Sequence, residues 1–96
     1  MAIAELKIEN DTNVLSCQGD WTIDVIASLS KQLDLIKFHQ GQKLIIDANK
    51  IGRIDSAGGL LIFKFMAQVQ EQGTAIVDFL GSVKVKAMLN LITKTS

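Results

Sequence analysis

Residues 45–66 read IIDANKIGRIDSAGGLLIFKFM, and this stretch decides the fold. Lys43–Ala48 (KLIIDA) has the continuous apolar centre of a buried strand. A helical period then starts near Ser56 and runs to about Gln72, where Gly73 stops it. At 100° per residue Ile62, Phe65, Met66 and Val69 fall on one stripe, with Lys64, Gln68 and Glu71 opposite. Ala75–Leu80 (AIVDFL) follows as another strand. A strand–helix–strand unit makes its two strands parallel, joined by a right-handed crossover.

Upstream, Ile3–Ile8 alternates: Ala4, Leu6 and Ile8 face one way and Ile3, Glu5 and Lys7 the other. Asn13–Gln18 is a second short strand. The two form a hairpin across Asn10–Thr12, with a loop that is not of the two-residue type. After Gly19-Asp20-Trp21 the period changes. Thr22 or Asp24 caps a helix whose buried positions are Val25/Ile26, Leu29, Leu33 and Ile36, ended by His39-Gln40-Gly41. Downstream, Gly81-Ser82 opens a third helix with core positions Val85, Met88/Leu89 and Ile92. The order β-β-α-β-α-β-α predicts an α/β domain: a small mixed four-stranded sheet, antiparallel at its N-terminal hairpin and parallel elsewhere, with helices packed on it. The 96 residues make one domain.

Ten basic and ten acidic residues balance, which argues against a general nucleic-acid binder. One cysteine, Cys17, excludes a disulfide framework and a multi-cysteine zinc site; one histidine, His39, excludes a histidine-rich metal site. The apolar run Ser56–Phe63 is broken at Lys64, far short of the roughly 20 residues that span a bilayer. Glu5, Lys7 and Glu9 stand where a signal peptide would be apolar, so the expected compartment is the cytosol. Residues 1–24 carry Glu5, Glu9, Asp11, Asp20 and Asp24 against Lys7, whereas residues 79–96 add Lys84, Lys86 and Lys94 after the last acid, Asp78. These are either two solvated faces of opposite sign or, at the C-terminus, a basic helix that meets a partner or lipid headgroups.

The chemistry concentrates at Asp55–Ser56. The first N–H groups of a helix lack intrahelical partners and carry partial positive charge. Asp55 is placed to cap them, and Ser56 projects a hydroxyl at the same end. Either this is helix capping alone, or Ser56 is a modification or contact point where a phosphate would be stabilised. Gly58 and Gly59 cost about 1 kcal/mol each relative to alanine inside a helix, which points to a close approach of backbone, partner or sheet. Leu60, Phe63 and Ala67 form a further apolar flank, either left open for binding or covered by the third helix.

The combination IDANKIGRIDSAGG (residues 46–59), preceded by CQGDWT (residues 17–22) and followed by an apolar helix, resembles a STAS domain over essentially the whole chain. That fold is shared by anti-sigma factor antagonists, cytoplasmic ends of sulfate-type anion transporters and Mla-type phospholipid transport systems. The resemblance implies two functions. In anti-sigma factor antagonists the residue matching Ser56 is phosphorylated by a kinase that is itself the anti-sigma factor, which blocks their complex. Asp55, Ser56 and Gly58 fit that pattern, while Trp21 and Thr22 depart from it. Gly-Asp-Trp-Thr and the apolar run Gly59–Met66 look more like the Mla branch. There the domain is non-catalytic and binds no cofactor or metal. It contacts the ATPase subunit of an ABC transporter, beside or fused to an MlaE-like permease, which makes it peripheral to the inner membrane. The expected partner-binding residues are Trp21, Thr22, Asp55, Ser56, Gly58, Gly59, Leu60 and Phe63.

Trp21, the sole tryptophan, is either a plug over the sheet end or part of that surface. Asp47 either anchors the Asp55–Ser56 loop or pairs with Lys50 or Arg53. Asp55 and Ser56 are adjacent and cannot take separate roles around His39 in a hydrolase triad. No P-loop motif is present, so nucleotide hydrolysis would belong to a partner.

Overall fold

The computed structural model describes residues 1–38 and 41–95. The strands are β1 (Ile3–Glu9), β2 (Thr12–Trp21), β3 (Lys43–Ile54) and β4 (Ala75–Gly81), hydrogen-bonded in that order. The helices are α1 (Ile26–Asp34), α2 (Ser56–Glu71) and α3 (Val83–Thr95), and a 3₁₀ turn at Ile23–Val25 precedes α1. β1 pairs antiparallel with β2, and β2, β3 and β4 run parallel. The expected α/β fold with its mixed four-stranded sheet is the fold observed.

One contiguous core takes alternate residues from the central strands, Leu15 and Cys17 of β2 and Leu44, Ile46 and Ala48 of β3. Leu29 and Leu33 of α1, Ile62, Phe65 and Val69 of α2 and Val85 of α3 join the same core. The three helices therefore cover one face of the sheet, as right-handed crossovers between successive neighbours require. The other face carries Glu5, Lys7, Ser16 and Asp47 around Val14 and Ile45, which the register sets side by side. The outer edge of β1 is guarded by Gln32 of α1. Its carboxamide accepts from the Ala4 amide (2.8 Å) and donates to the Ala2 carbonyl (3.3 Å), standing in for a neighbouring strand.

Three local expectations need correction. The hairpin loop is of the two-residue type: Glu9 pairs with Thr12, and Asn10 and Asp11 sit at φ 49° and 63°. Two successive left-handed residues are what a type I′ turn needs, and Asn and Asp tolerate that region better than other residues with a Cβ. The first helix ends at Asp34, not at Gly41. Ile36 and Phe38 still reach the core, but from the following loop, where Phe38 meets Phe65 edge-on at 6.2 Å between ring centroids. His39 and Gln40 lie outside the described residues. Finally, β3 runs six residues beyond Ala48, because β2 also continues and pairs Trp21 with Ile54. Register shifts between Ser16 and Gln18 and between Gly19 and Trp21 turn Trp21, Ile51 and Ile54 inward despite the polar residues between them.

Thr74, at the entry to β4, is 2% exposed, and its hydroxyl has no hydrogen-bond partner among the described residues. An unsatisfied buried hydroxyl of this kind costs about 1–3 kcal/mol.

Candidate functional site

The parallel strands β2 and β3 end together, at Trp21 and Ile54, and each hands the chain to a helical turn. Asp55 joins the two. Its own amide donates to the Trp21 carbonyl (3.3 Å). One carboxylate oxygen accepts from the Gly58 amide of α2 (3.0 Å), the other from the Ile23 amide of the 3₁₀ turn (2.9 Å). A single side chain thus caps two helical starts. The cap on α2 was legible from the sequence; the bond to Ile23, 32 residues away in the chain, was not.

These bonds favour the charged form. The Gly58 amide first, and the Ile23 amide next, hold the Asp55 carboxyl below its ordinary value. Its folded pKa therefore lies under its unfolded one. The stabilisation is full above the unfolded value of ~3.9 and is lost as pH falls through the folded one. Asp55→Asn removes the charge and keeps one acceptor. We expect the variant to melt below the parent at pH 7, with the gap closing as pH drops below about 4. Thermal scans at pH 7 and pH 3 check this, and a gap independent of pH would show that the charge plays no part.

The rest of the rim is held by short bonds. Asp20 accepts from the Arg53 amide (3.1 Å), which ties the two strand ends together. Thr22 donates its hydroxyl to Asp24 and gives no side-chain cap to the turn it precedes. Between these residues and Lys84 opens a cleft of about 760 Å³. Its carboxylates Asp20, Asp24 and Asp55 each accept a hydrogen bond from within the fold. Asp47 accepts from the Asn49 amide (3.0 Å) and does not reach the Asp55–Ser56 loop. Cys17 is fully buried, and burial, with Asp47 nearby adding to it, pushes its thiol up to about 12. A protonated, inaccessible thiol is not a nucleophile at neutral pH.

The expected contact residues divide. Ser56 is the first residue of α2, exposed, and its hydroxyl makes no hydrogen bond among the described residues. At i+4 stands Leu60, 39% exposed, and at i+7 Phe63, half-buried; Ala67 continues the row. Thr22 and Asp55 are half-buried beside Ser56. Trp21, Gly58 and Gly59 are removed from this surface. Trp21 is 0% exposed, with its indole N–H donated to the Gln18 carbonyl at 3.0 Å. It is the structural plug of the two readings. The glycines answer close approaches inside the fold. A Cβ on Gly58 would lie 2.0 Å from the Trp21 carbonyl oxygen, and one on Gly59 would lie 2.5 Å from Ile92 Cδ1 and 2.8 Å from Met88 Cγ. Helix α3 therefore packs along the Gly59 side of α2 and leaves Leu60 and Ala67 outside, so the apolar flank is covered only in part.

Among the described residues no helix is long and apolar enough to cross a membrane. No protein-family model matches the chain, and no curated protein matches it.

Proposed function

We propose that this chain is a non-catalytic, STAS-type protein-interaction domain of an ABC-type phospholipid transport system. It docks on the ATPase subunit, beside an MlaE-like permease, and regulates assembly or activity. One observation carries the reading: a Ser56 hydroxyl without a hydrogen-bond partner among the described residues lies on the same helix row as exposed Leu60 and half-buried Phe63. An apolar row with a polar donor at its end suits a contact whose centre is dry and whose rim is hydrogen-bonded. Thr22 and Asp55 supply the rest of that rim.

Ser56→Glu tests it. The new carboxylate sits at a positively polarised helix end, so the fold is not weakened. In the contact, however, it is a desolvated charge next to Asp55, and capture of the cognate ATPase subunit should fall about tenfold or more. Unchanged capture at unchanged melting temperature would remove the docking face.

The free hydroxyl also favours a second reading, an anti-sigma factor antagonist switched by phosphorylation of Ser56. Incubation with the candidate kinase and ATP, followed by intact-mass measurement, separates the two: stoichiometric phosphate on Ser56 selects the switch.

A further inference from the structure

The two outer strands of the sheet are protected differently. At the β1 edge Gln32 holds the Ala4 amide and the Ala2 carbonyl, and Glu5, Lys7 and Glu9 add charge along the strand. β4 pairs with β3 on one side, and no described strand pairs with it on the other. Its sequence, AIVDFLG, contains neither lysine nor proline, the usual guards of an open edge. Val77 is 51% exposed and Leu80 37%. Asp78 is the strand's only charge and is exposed. Its carboxylate accepts from the Phe79 amide at 2.9 Å, so it also occupies a main-chain donor of its own strand.

We propose that the β4 edge is a self-association surface, on which a second copy of this chain lays its own β4 antiparallel, and that Asp78 keeps this pairing weak. The proposal is independent of the docking face on α2. An unpaired row of N–H and C=O groups at strand spacing is met in full only by another extended chain. Three observations make that chain a second copy. The formal net charge is zero, so two copies do not repel one another as wholes. The edge is apolar except at Asp78, so it offers each copy side chains of the kind it carries itself. The assembly also closes. Two β4 edges joined about a two-fold axis use up both open edges and leave outward only the β1 edges that Gln32 covers. A head-to-tail contact of β4 on β1, which would grow into a filament, meets that cover. At most seven residues of each copy pair, short of the roughly 1,200 Å² of a standard interface, so the dimer is weak and transient. Asp78 weakens it further in each central register. With the two-fold axis at Val77, Asp78 or Phe79, the second copy's Asp78 falls opposite Ile76, Asp78 or Leu80. The two carboxylates are then direct or diagonal neighbours, within about 8 Å.

Sedimentation equilibrium of the parent, Asp78→Thr and Asp78→Lys tests this. Asp78→Thr removes the charge and should tighten a monomer–dimer equilibrium about tenfold or more. Asp78→Lys keeps like charges together and should stay weak alone. Mixed with the parent, it should form a heterodimer about fivefold or more tighter than either chain by itself. Amide exchange in the Asp78→Thr dimer should slow along Val77–Gly81 and not along β1. The proposal is overturned if Asp78→Thr, folded as the parent is, associates no more tightly, or if the mixture is no tighter than its components. Protection that maps to β1 or to the helices overturns it as well, and so does growth beyond the dimer, which would mean that the β1 edge is open. Protection of β4 by an added ATPase subunit, without self-association of Asp78→Thr at millimolar concentration, assigns the edge to a partner's strand and overturns the second copy. Ser56→Glu should leave all these measurements unmoved, so failure here and failure of the docking face are separate results.

Discussion

Gly58→Ala is expected to lower the thermal midpoint by more than about 10 °C, although alanine is the better helix former. The added methyl would sit 2.0 Å from the Trp21 carbonyl oxygen and 2.8 Å from its carbonyl carbon. Both are backbone atoms and cannot rotate aside. That carbonyl also accepts the Asp55 amide, so the start of α2 is fastened to the end of β2 at the point where the methyl intrudes. Relief requires lifting the helix from the strand, which lengthens the Asp55 bonds to Gly58 and Ile23. Overpacking typically costs about 1–3 kcal/mol, and a rigid backbone obstacle puts this case near the upper end, at about 3 kcal/mol. Gly59→Ala is the control. Its methyl meets Met88 Cγ and Ile92 Cδ1, side-chain atoms on a neighbouring helix that can swing away. Thermal or urea unfolding of the two variants should therefore separate them clearly, with Gly58→Ala the less stable. Equal midpoints would mean that α2 is not seated on the Trp21 backbone.

The contrast between these glycines shows how far the sequence can be read. Gly58 and Gly59 in the first turns of a helix announce a close approach, but the sequence does not say of what. The structure supplies a strand carbonyl for one and two α3 side chains for the other, both inside the fold. The element order was legible because each element has a clean period: Leu44, Ile46 and Ala48 alternate along β3, and Ile62, Phe65 and Val69 recur along α2. The extension of β3 through Asn49-Lys50 was hidden, since its inward residues after Ala48, Ile51 and Ile54, are spaced by three and not by two, as the register shifts against β2 require. The type I′ turn was hidden by the lack of glycine at Asn10-Asp11. At the site, the Asp55 cap followed from local spacing, whereas its bond to Ile23 depends on two chain ends meeting across the sheet. Trp21 illustrates a further limit. A large aromatic beside a turn is equally good as an anchor for a partner or as a lid on the fold, and only burial separates the two.

Trp21→Ala should therefore act on folding and not on a contact surface. The indole is 0% exposed and donates to the Gln18 carbonyl. Truncating a buried aromatic costs about 3–5 kcal/mol, against about 5–14 kcal/mol in total for a domain of this length. A large part of the population is expected to be unfolded or marginal at 37 °C, so the milder Trp21→Phe carries the discrimination. It keeps most of the ring packing and loses the donor to Gln18, and should lower the urea midpoint while the chain still folds at low temperature. Under those folded conditions its capture of the proposed partner, an ATPase subunit, should stay within about twofold of the parent, because burial keeps residue 21 out of any interface. Loss of capture with an unchanged urea midpoint would return Trp21 to the docking face. The parent chain carries its own check. Its single tryptophan should emit as a buried indole, resist acrylamide quenching, and shift to the red only when the urea transition releases it. If Trp21 instead lay on the proposed docking face, quenching would be strong in the free protein and relieved on adding the proposed partner.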